Sequence, residues 1–276
     1  MRSIKLLNWL LICCSIDAIG AIETTVEAAE PATLHPAVST PPNSKNNNSL
    51  NIPLPSRITL GAEDSWPPYT NAHGEGITTN IIRAALATRG ITPQLRVLPY
   101  SRVLHDLSVG KLDGGYNITQ QMNNRSKLIF GKEPLLTVSA YWYVLPNKFK
   151  EFSSLADVPK GLRVGIIRDY EYGDEYEKYR QHFTEVNLSR QNQIIGMLRQ
   201  GRIDAGIMFA REAEYTLNNM QLPSSSIDAR FLLHAGGVYV AFSPLYPYAT
   251  DMAEQLDKGI ETLKASGQYQ ELAEAN

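Results

Sequence analysis

Cysteine is nearly absent from this chain. The two in its 276 residues, Cys13 and Cys14, sit side by side near the amino terminus. The remainder of the sequence therefore holds no disulfide framework, no thiol nucleophile and no cysteine metal site. Histidine is sparse as well: His35, His73, His105, His182 and His234 are scattered, and no pair has the i, i+4 spacing of a zinc helix. No Gly-x-Ser-x-Gly elbow, phosphate loop or dinucleotide fingerprint occurs, so no metal, no cofactor and no catalytic residue set is expected. Positive charge is not in excess, with 26 Lys and Arg against 28 Asp and Glu for a net −2. Binding nucleic acid through its phosphates requires clustered cations, so that partner class is excluded. No apolar run reaches the roughly 18–20 residues of a membrane span.

What is present divides the chain unevenly. Arg2 and Lys5 precede the apolar run Leu6–Ile16, and the small residues Ala18, Gly20 and Ala21 follow. That order reads as a secretory signal peptide over residues 1–21, which places the mature protein in the periplasm. A lipid anchor at Cys14 is disfavoured by Cys13 in front of it. Residues 22–56 are rich in Pro, Ser, Thr and Asn and bury too little apolar surface to offset their ordering entropy, so they read as a flexible linker. Residues 1–56 hold three basic and four acidic side chains, leaving the rest at a net −1.

From Arg57 onward, strand and helix patterns alternate. Strands are expected over 57–63, 94–98, 112–118 and 162–167. Helices are expected over 77–90, 101–109 (capped by Ser101) and 251–263. Such alternation builds a mostly parallel sheet with helices on its faces. One piece occurs twice. Leu107-Ser-Val-Gly-Lys-Leu-Asp-Gly-Gly115 matches Leu198-Arg-Gln-Gly-Arg-Ile-Asp-Ala-Gly206 in Leu, Gly, a basic residue and Asp. The repeat predicts two similar α/β lobes, and the extended runs 135–145 and 231–242 are the candidates to cross between them as a hinge. Lobe 1 is assigned to 57–140 plus 235–276 and lobe 2 to 141–234. A cleft between lobes, at the carboxyl ends of strands, is a preferred ligand site.

The order of motifs resembles the bacterial extracellular solute-binding protein family 3, the polar amino-acid-type periplasmic binding proteins. The likeness is carried by Asp64-Ser-Trp66-Pro-Pro-Tyr69, by Gly76 with Asn80, and by Pro99-Tyr100-Ser-Arg102 followed by Leu107-x-x-Gly110-x-x-Asp113. It continues through Arg125 with Phe130 and Pro134, Leu155-x-Asp157-x-x-x-Gly161-Leu-Arg-Val-Gly165, and Gly267-x-Tyr269. It covers about residues 57–276. The resemblance implies an α/β fold of periplasmic-binding-protein type II, with two lobes joined by a two-crossing hinge. It further implies a small-molecule ligand, an inner-membrane permease or sensor as partner, and a monomer that performs no chemistry.

In that family an Arg at the Arg125 position holds a ligand carboxylate, and a bidentate guanidinium suits that task. Trp66, Tyr69 and Tyr100 are placed to cover the ligand. Arg102 and Asn117 join them from lobe 1, while Arg168, Tyr170 and Tyr172 line the turn 168–173, whose backbone N–H groups would face an anion. Amino-acid binders carry an Asp for the ligand ammonium where this chain has Phe209, so a standard α-amino acid is in doubt. The expected ligand is a small organic molecule, carboxylate-bearing or amino-acid-like, held for uptake by an ABC transporter or for sensing. The alternatives are a dehydratase-type enzyme on the same fold, using Glu63, Asp64 or Glu175 as its acid, and a non-transport signalling or docking module.

Overall fold

The computed structural model describes residues 53–275; residues 1–21, expected to be a signal peptide, and most of the expected linker 22–56 lie outside the described residues. One nine-stranded sheet runs through the chain in the order β2-β1-β3-β9-β5-β8-β6-β7, with the short β4 (Ile129–Phe130) beside β9. At one end β1 (Arg57–Glu63) pairs in parallel with β2 (Thr92–Leu98) and β3 (Gly114–Thr119). At the other, β6 (Arg163–Ile167) pairs in parallel with β7 (Thr184–Leu188) and β8 (Ala205–Phe209). Each set has its first strand in the middle, so the fold is two α/β lobes of like topology. They are joined by two antiparallel crossings, β5 (Leu136–Val144) and β9 (Asp228–Phe242). The β5–β9 ladder is irregular between Ala140 and Tyr141, opposite His234 and Leu232.

The internal repeat has a physical basis in both lobes. Helix α2 (Tyr100–Ser108) and helix α4 (Gln191–Arg199) each run into a glycine with positive φ, Gly110 at 68° and Gly201 at 65°. Only a residue without Cβ adopts that geometry at little cost. The aspartate that follows then ties the helix–strand junction to its lobe's first strand. Asp113 Oδ2 accepts from Thr59 N at 2.6 Å, and Asp204 Oδ2 accepts from Arg163 N at 2.9 Å. Return bonds run from Asp113 N to Thr59 O and from Asp204 N to Arg163 O. Each motif is thus a clamp that seats a helix and a third strand against a first strand.

Helix α1 (Ile77–Ala87) covers lobe 1 with Ile77, Ile81, Ile82, Ala85 and Leu86 buried. It ends three residues before Gly90, earlier than its periodicity predicts. Helix α2 starts at Tyr100 with Pro99 at its cap, so Ser101 lies inside the helix and makes no side-chain cap. The pre-set φ of proline replaces the hydroxyl there. In lobe 2, the short α3 (Asp174–Tyr179) precedes β7, and α5 (Ala210–Asn219) follows β8 directly. Helix α6 (Ala249–Ser266) returns to lobe 1 as expected, burying Met252, Leu256, Ile260 and Leu263 and ending at Gly267 in the left-handed conformation. It is followed by α7 (Gln268–Glu274). No helix among the described residues is long and apolar enough to cross a membrane.

Candidate functional site

The carboxyl ends of the parallel strands from both lobes meet at one place. From lobe 1 come Glu63 at the end of β1, Trp66 on the loop after it, Tyr100 at the start of α2, and Asn117 and Thr119 on β3. From lobe 2 come Tyr170 and Glu171 on the loop after β6, and Phe209 at the end of β8. Together these eight residues enclose a cavity of about 10 Å³. That is room for about one water-sized group.

Contacts across the cavity are reciprocal. The Tyr100 hydroxyl of lobe 1 donates to Glu171 Oε2 of lobe 2 at 2.5 Å, and the Tyr170 hydroxyl of lobe 2 donates to Glu63 Oε1 of lobe 1. Behind the cavity, Trp66 Nε1 donates to Glu212 Oε2 in the first turn of α5 at 2.9 Å. Each lobe thus offers carboxyl groups to the aromatic donors of the other. The rings themselves pack edge to face: Trp66 on Phe209 at 5.2 Å, Tyr100 on Tyr170 at 5.1 Å and Trp66 on Tyr170 at 6.5 Å. Such pairs add about 0.5–1.5 kcal/mol each beyond their area burial.

Three buried glutamates without an ion pair set the electrostatics. Glu63 is 2%, Glu171 8% and Glu212 0% exposed. Burial pushes the Glu63 carboxyl up to about 8, against a lowering by the Tyr170 hydroxyl, with Asp64 and Glu171 adding repulsion. Burial likewise pushes Glu171 up to about 8, opposed chiefly by the Tyr100 hydroxyl. Glu212 is raised well above the usual carboxylate range by burial and by the neighbouring Glu63. Removal from water without a compensating cation favours the neutral acid in all three.

Asn117 is the strained member of the site. Its φ is +66°, and the β3–β9 register slips between Tyr116 and Ile118, so it occupies a bulge that turns its side chain off the ladder. Its Nδ2 donates to Thr70 Oγ1 at 2.6 Å, while its Oδ1 is buried without a partner.

The structure brings together five of the ten residues singled out from sequence: Trp66, Tyr100, Asn117, Tyr170 and Phe209 line the cavity. Tyr69 and Tyr172 stand one layer behind. Tyr69 packs on Trp66 at 4.2 Å with the Arg211 guanidinium over its ring, and Tyr172 stacks on Phe209 at 6.1 Å while its hydroxyl accepts from Ile167 N.

The three arginines are placed elsewhere. Arg102 Nε lies 3.0 Å from the fully buried Asp106 on its own helix, which needs the charge more than a ligand would. Arg168 is exposed and lines an open groove of about 390 Å³ that shares Glu63 and Tyr100 with the cavity. Arg125 is half exposed and sits 3.5 Å from Asp174, outside the cavity lining. In the turn 168–173, three of the backbone N–H groups are already engaged within the protein. Arg168 N, Tyr170 N and Gly173 N donate to Leu188 O, Ile167 O and Gln121 Oε1.

Sequence reading missed Glu171, Thr119 and Glu212, and placed Glu63 only among candidate acids. Glu212 had a usable signal: it shares the buried face of an amphipathic helix with Ala213, Thr216 and Leu217, where a carboxylate is out of place. Glu171 had none, since it lies in an irregular loop.

No family model matches the chain, and no curated protein sequence matches it. Solved structures do. A histidine kinase sensor domain described as similar to periplasmic binding proteins superposes with a TM-score of 0.67 at 19% identity, covering 78% of this chain and 93% of that one. An amino acid ABC transporter substrate-binding protein from Streptococcus pneumoniae, bound to L-arginine, gives 0.64 at 18%, covering 79% and 93%. An ancestral amino-acid-binding protein, a precursor of cyclohexadienyl dehydratase, gives 0.63 at 15%, covering 79% and 94%. At these identities the likeness establishes the fold, which is that of type II periplasmic binding proteins.

Proposed function

We propose that this chain is a periplasmic solute-binding protein, exported by residues 1–21 and held on the linker 22–56. It works as a monomer that captures a small organic molecule between its lobes and presents it to an inner-membrane permease or sensor. The observation that carries this reading is the reciprocal closure of the cavity. Every polar group that Glu63, Glu171 and Glu212 engage across it comes from the opposite lobe, so the site exists only when the lobes are together. Hinge closure around a ligand is a known mode of domain motion. The ladder irregularity at Ala140/Tyr141 opposite His234 supports lobe boundaries at 140/141 and 234/235.

The test is small-angle scattering and thermal unfolding of the purified protein against a panel of small metabolites. A ligand that raises the midpoint and changes the radius of gyration supports the reading. A panel that leaves both unchanged would sink it.

A second reading, an acid catalyst on the same fold, is favoured by one observation: Glu63 and Glu171 carry carboxyls pushed up to about 8, protonated at neutral pH as a general acid must be. Mass spectrometry of any bound compound, before and after incubation, decides it; an unaltered compound rejects catalysis.

A further inference from the structure

What the cavity offers a ligand is one-sided. Its lining contains no Arg, Lys or His. Its carboxyls, Glu63 and Glu171, are backed by Glu212, and its one buried polar atom without a partner is an acceptor, Asn117 Oδ1, on a side chain only 6% exposed. An unpaired buried acceptor is costly until a donor reaches it.

Around these acceptors stand Trp66 and Tyr100 from one lobe and Tyr170 and Phe209 from the other. Ring faces attract cations, most strongly when the cation is desolvated. An anion meets the reverse. The arginines that could hold it are paired with Asp106 and Asp174 or exposed in the outer groove, and in the turn 168–173 the N–H groups of Arg168, Tyr170 and Gly173 are engaged within the protein.

We infer that the ligand is an organic cation carrying N–H donors, an amine or guanidine, and lacking a carboxylate. This rests on the solute-binding reading and narrows it. The head group enters as the lobes part, takes the place that the Tyr100 and Tyr170 hydroxyls hold on Glu171 and Glu63, and donates to Asn117 Oδ1. The aromatic rings then close on it from both sides. A quaternary ammonium would satisfy the rings but not the acceptors; a carboxylate beside the head group would be brought against buried glutamates.

The decisive comparison is agmatine against L-arginine, which differ by one carboxylate, with putrescine and tetramethylammonium as further probes, by calorimetry on the full-length protein. Agmatine or putrescine is expected to bind, with L-arginine and tetramethylammonium each at least tenfold weaker than the better of the two. Glu171→Gln keeps an acceptor for Tyr100 but loses the charge, and is expected to weaken the bound cation at least tenfold while circular dichroism stays unchanged. L-arginine binding as tightly as agmatine overturns the inference and leaves the solute-binding reading standing. So does an exclusively neutral or anionic ligand found in the metabolite panel. A panel with no ligand at all overturns both. If Glu171→Gln does not fold, the agmatine–arginine pair on the unmodified protein still decides.

Discussion

A carboxyl group buried without a cation makes the protein's stability depend on pH, and the sign can be worked out for Glu63. Its ordinary value near 4.5 is pushed up to about 8 by burial in the folded protein. The folded state therefore holds a proton that the unfolded state releases. The stabilisation of the protonated form is complete below about 4.5 and is lost as pH rises toward 8, at up to ~1.4 kcal/mol per pH unit for each such group. Glu171 behaves alike. The unliganded protein is expected to melt at a higher temperature at pH 5 than at pH 8. Glu63→Gln should retain the acceptor for the Tyr170 hydroxyl and flatten that fall. Equal slopes in the two proteins, measured by calorimetry across pH 5–8, would show that Glu63 does not hold the proton. At this scale the sequence was half legible. The aromatics Trp66, Tyr100, Tyr170 and Phe209 announced themselves beside prolines and strand ends. The acids did not, because a glutamate reads as solvated surface until the opposite lobe covers it, and that covering comes from residues more than 70 positions away. Arg125 lies outside the cavity lining for a related reason: its expected role came from motif order, while its side chain is placed by Asp174 of the other lobe.

Secondary-structure elements here are positioned by close approaches that glycine permits. Gly206 on β8 lies under α4, and a Cβ added there would sit 2.3 Å from Ile194 Cγ2; Gly115 plays the same part under α2, where a Cβ would meet Val103 Cγ1 at 2.7 Å. Gly206→Ala is expected to destabilise by about 1–3 kcal/mol, since Ile194 is fully buried and has no room to yield. By contrast Gly196→Ala, on the face of α4 where no atom lies within 4 Å, should stabilise by roughly 0.5–1 kcal/mol through helix propensity. Chemical denaturation of the two variants checks both; a neutral Gly206→Ala would mean that α4 floats on the sheet. These junctions were the most readable part of the chain. The Leu…Gly…Asp repeat encodes a local hydrogen-bond set, closed within one helix–strand turn and its neighbouring first strand, so spacing alone carried it. Strand ends and the cap of α2 were less readable because they are fixed by partners such as Thr59 and by the proline before Tyr100 rather than by their own pattern.

Lobe separation couples these scales, and proton binding reports on it. In the closed form Glu63, Glu171 and Glu212 are buried against Tyr170, Tyr100 and Trp66, and Asp64 and Asp169 add repulsion on Glu63 and Glu171 respectively. Opening returns water to the carboxyls and lets their proton affinities fall back toward the ordinary range. The closed form therefore binds more protons than the open form, and by linkage low pH favours closure while rising pH favours opening. The interlobe ion pair of Arg125 with Asp174 does not reverse this. It is about half exposed and contributes no more than about 1 kcal/mol. Scattering from the unliganded protein should show the radius of gyration increasing between pH 5 and pH 9, with far-ultraviolet circular dichroism constant, so that the change is separation of lobes and not unfolding. A cation that pairs with the glutamates should reverse it, closing the lobes at pH 8 and releasing protons to the buffer as it binds. A radius of gyration independent of pH in the empty protein would show that the three hydrogen bonds across the cavity persist with ionised carboxyls, and that hinge mechanics rather than protonation sets the resting state.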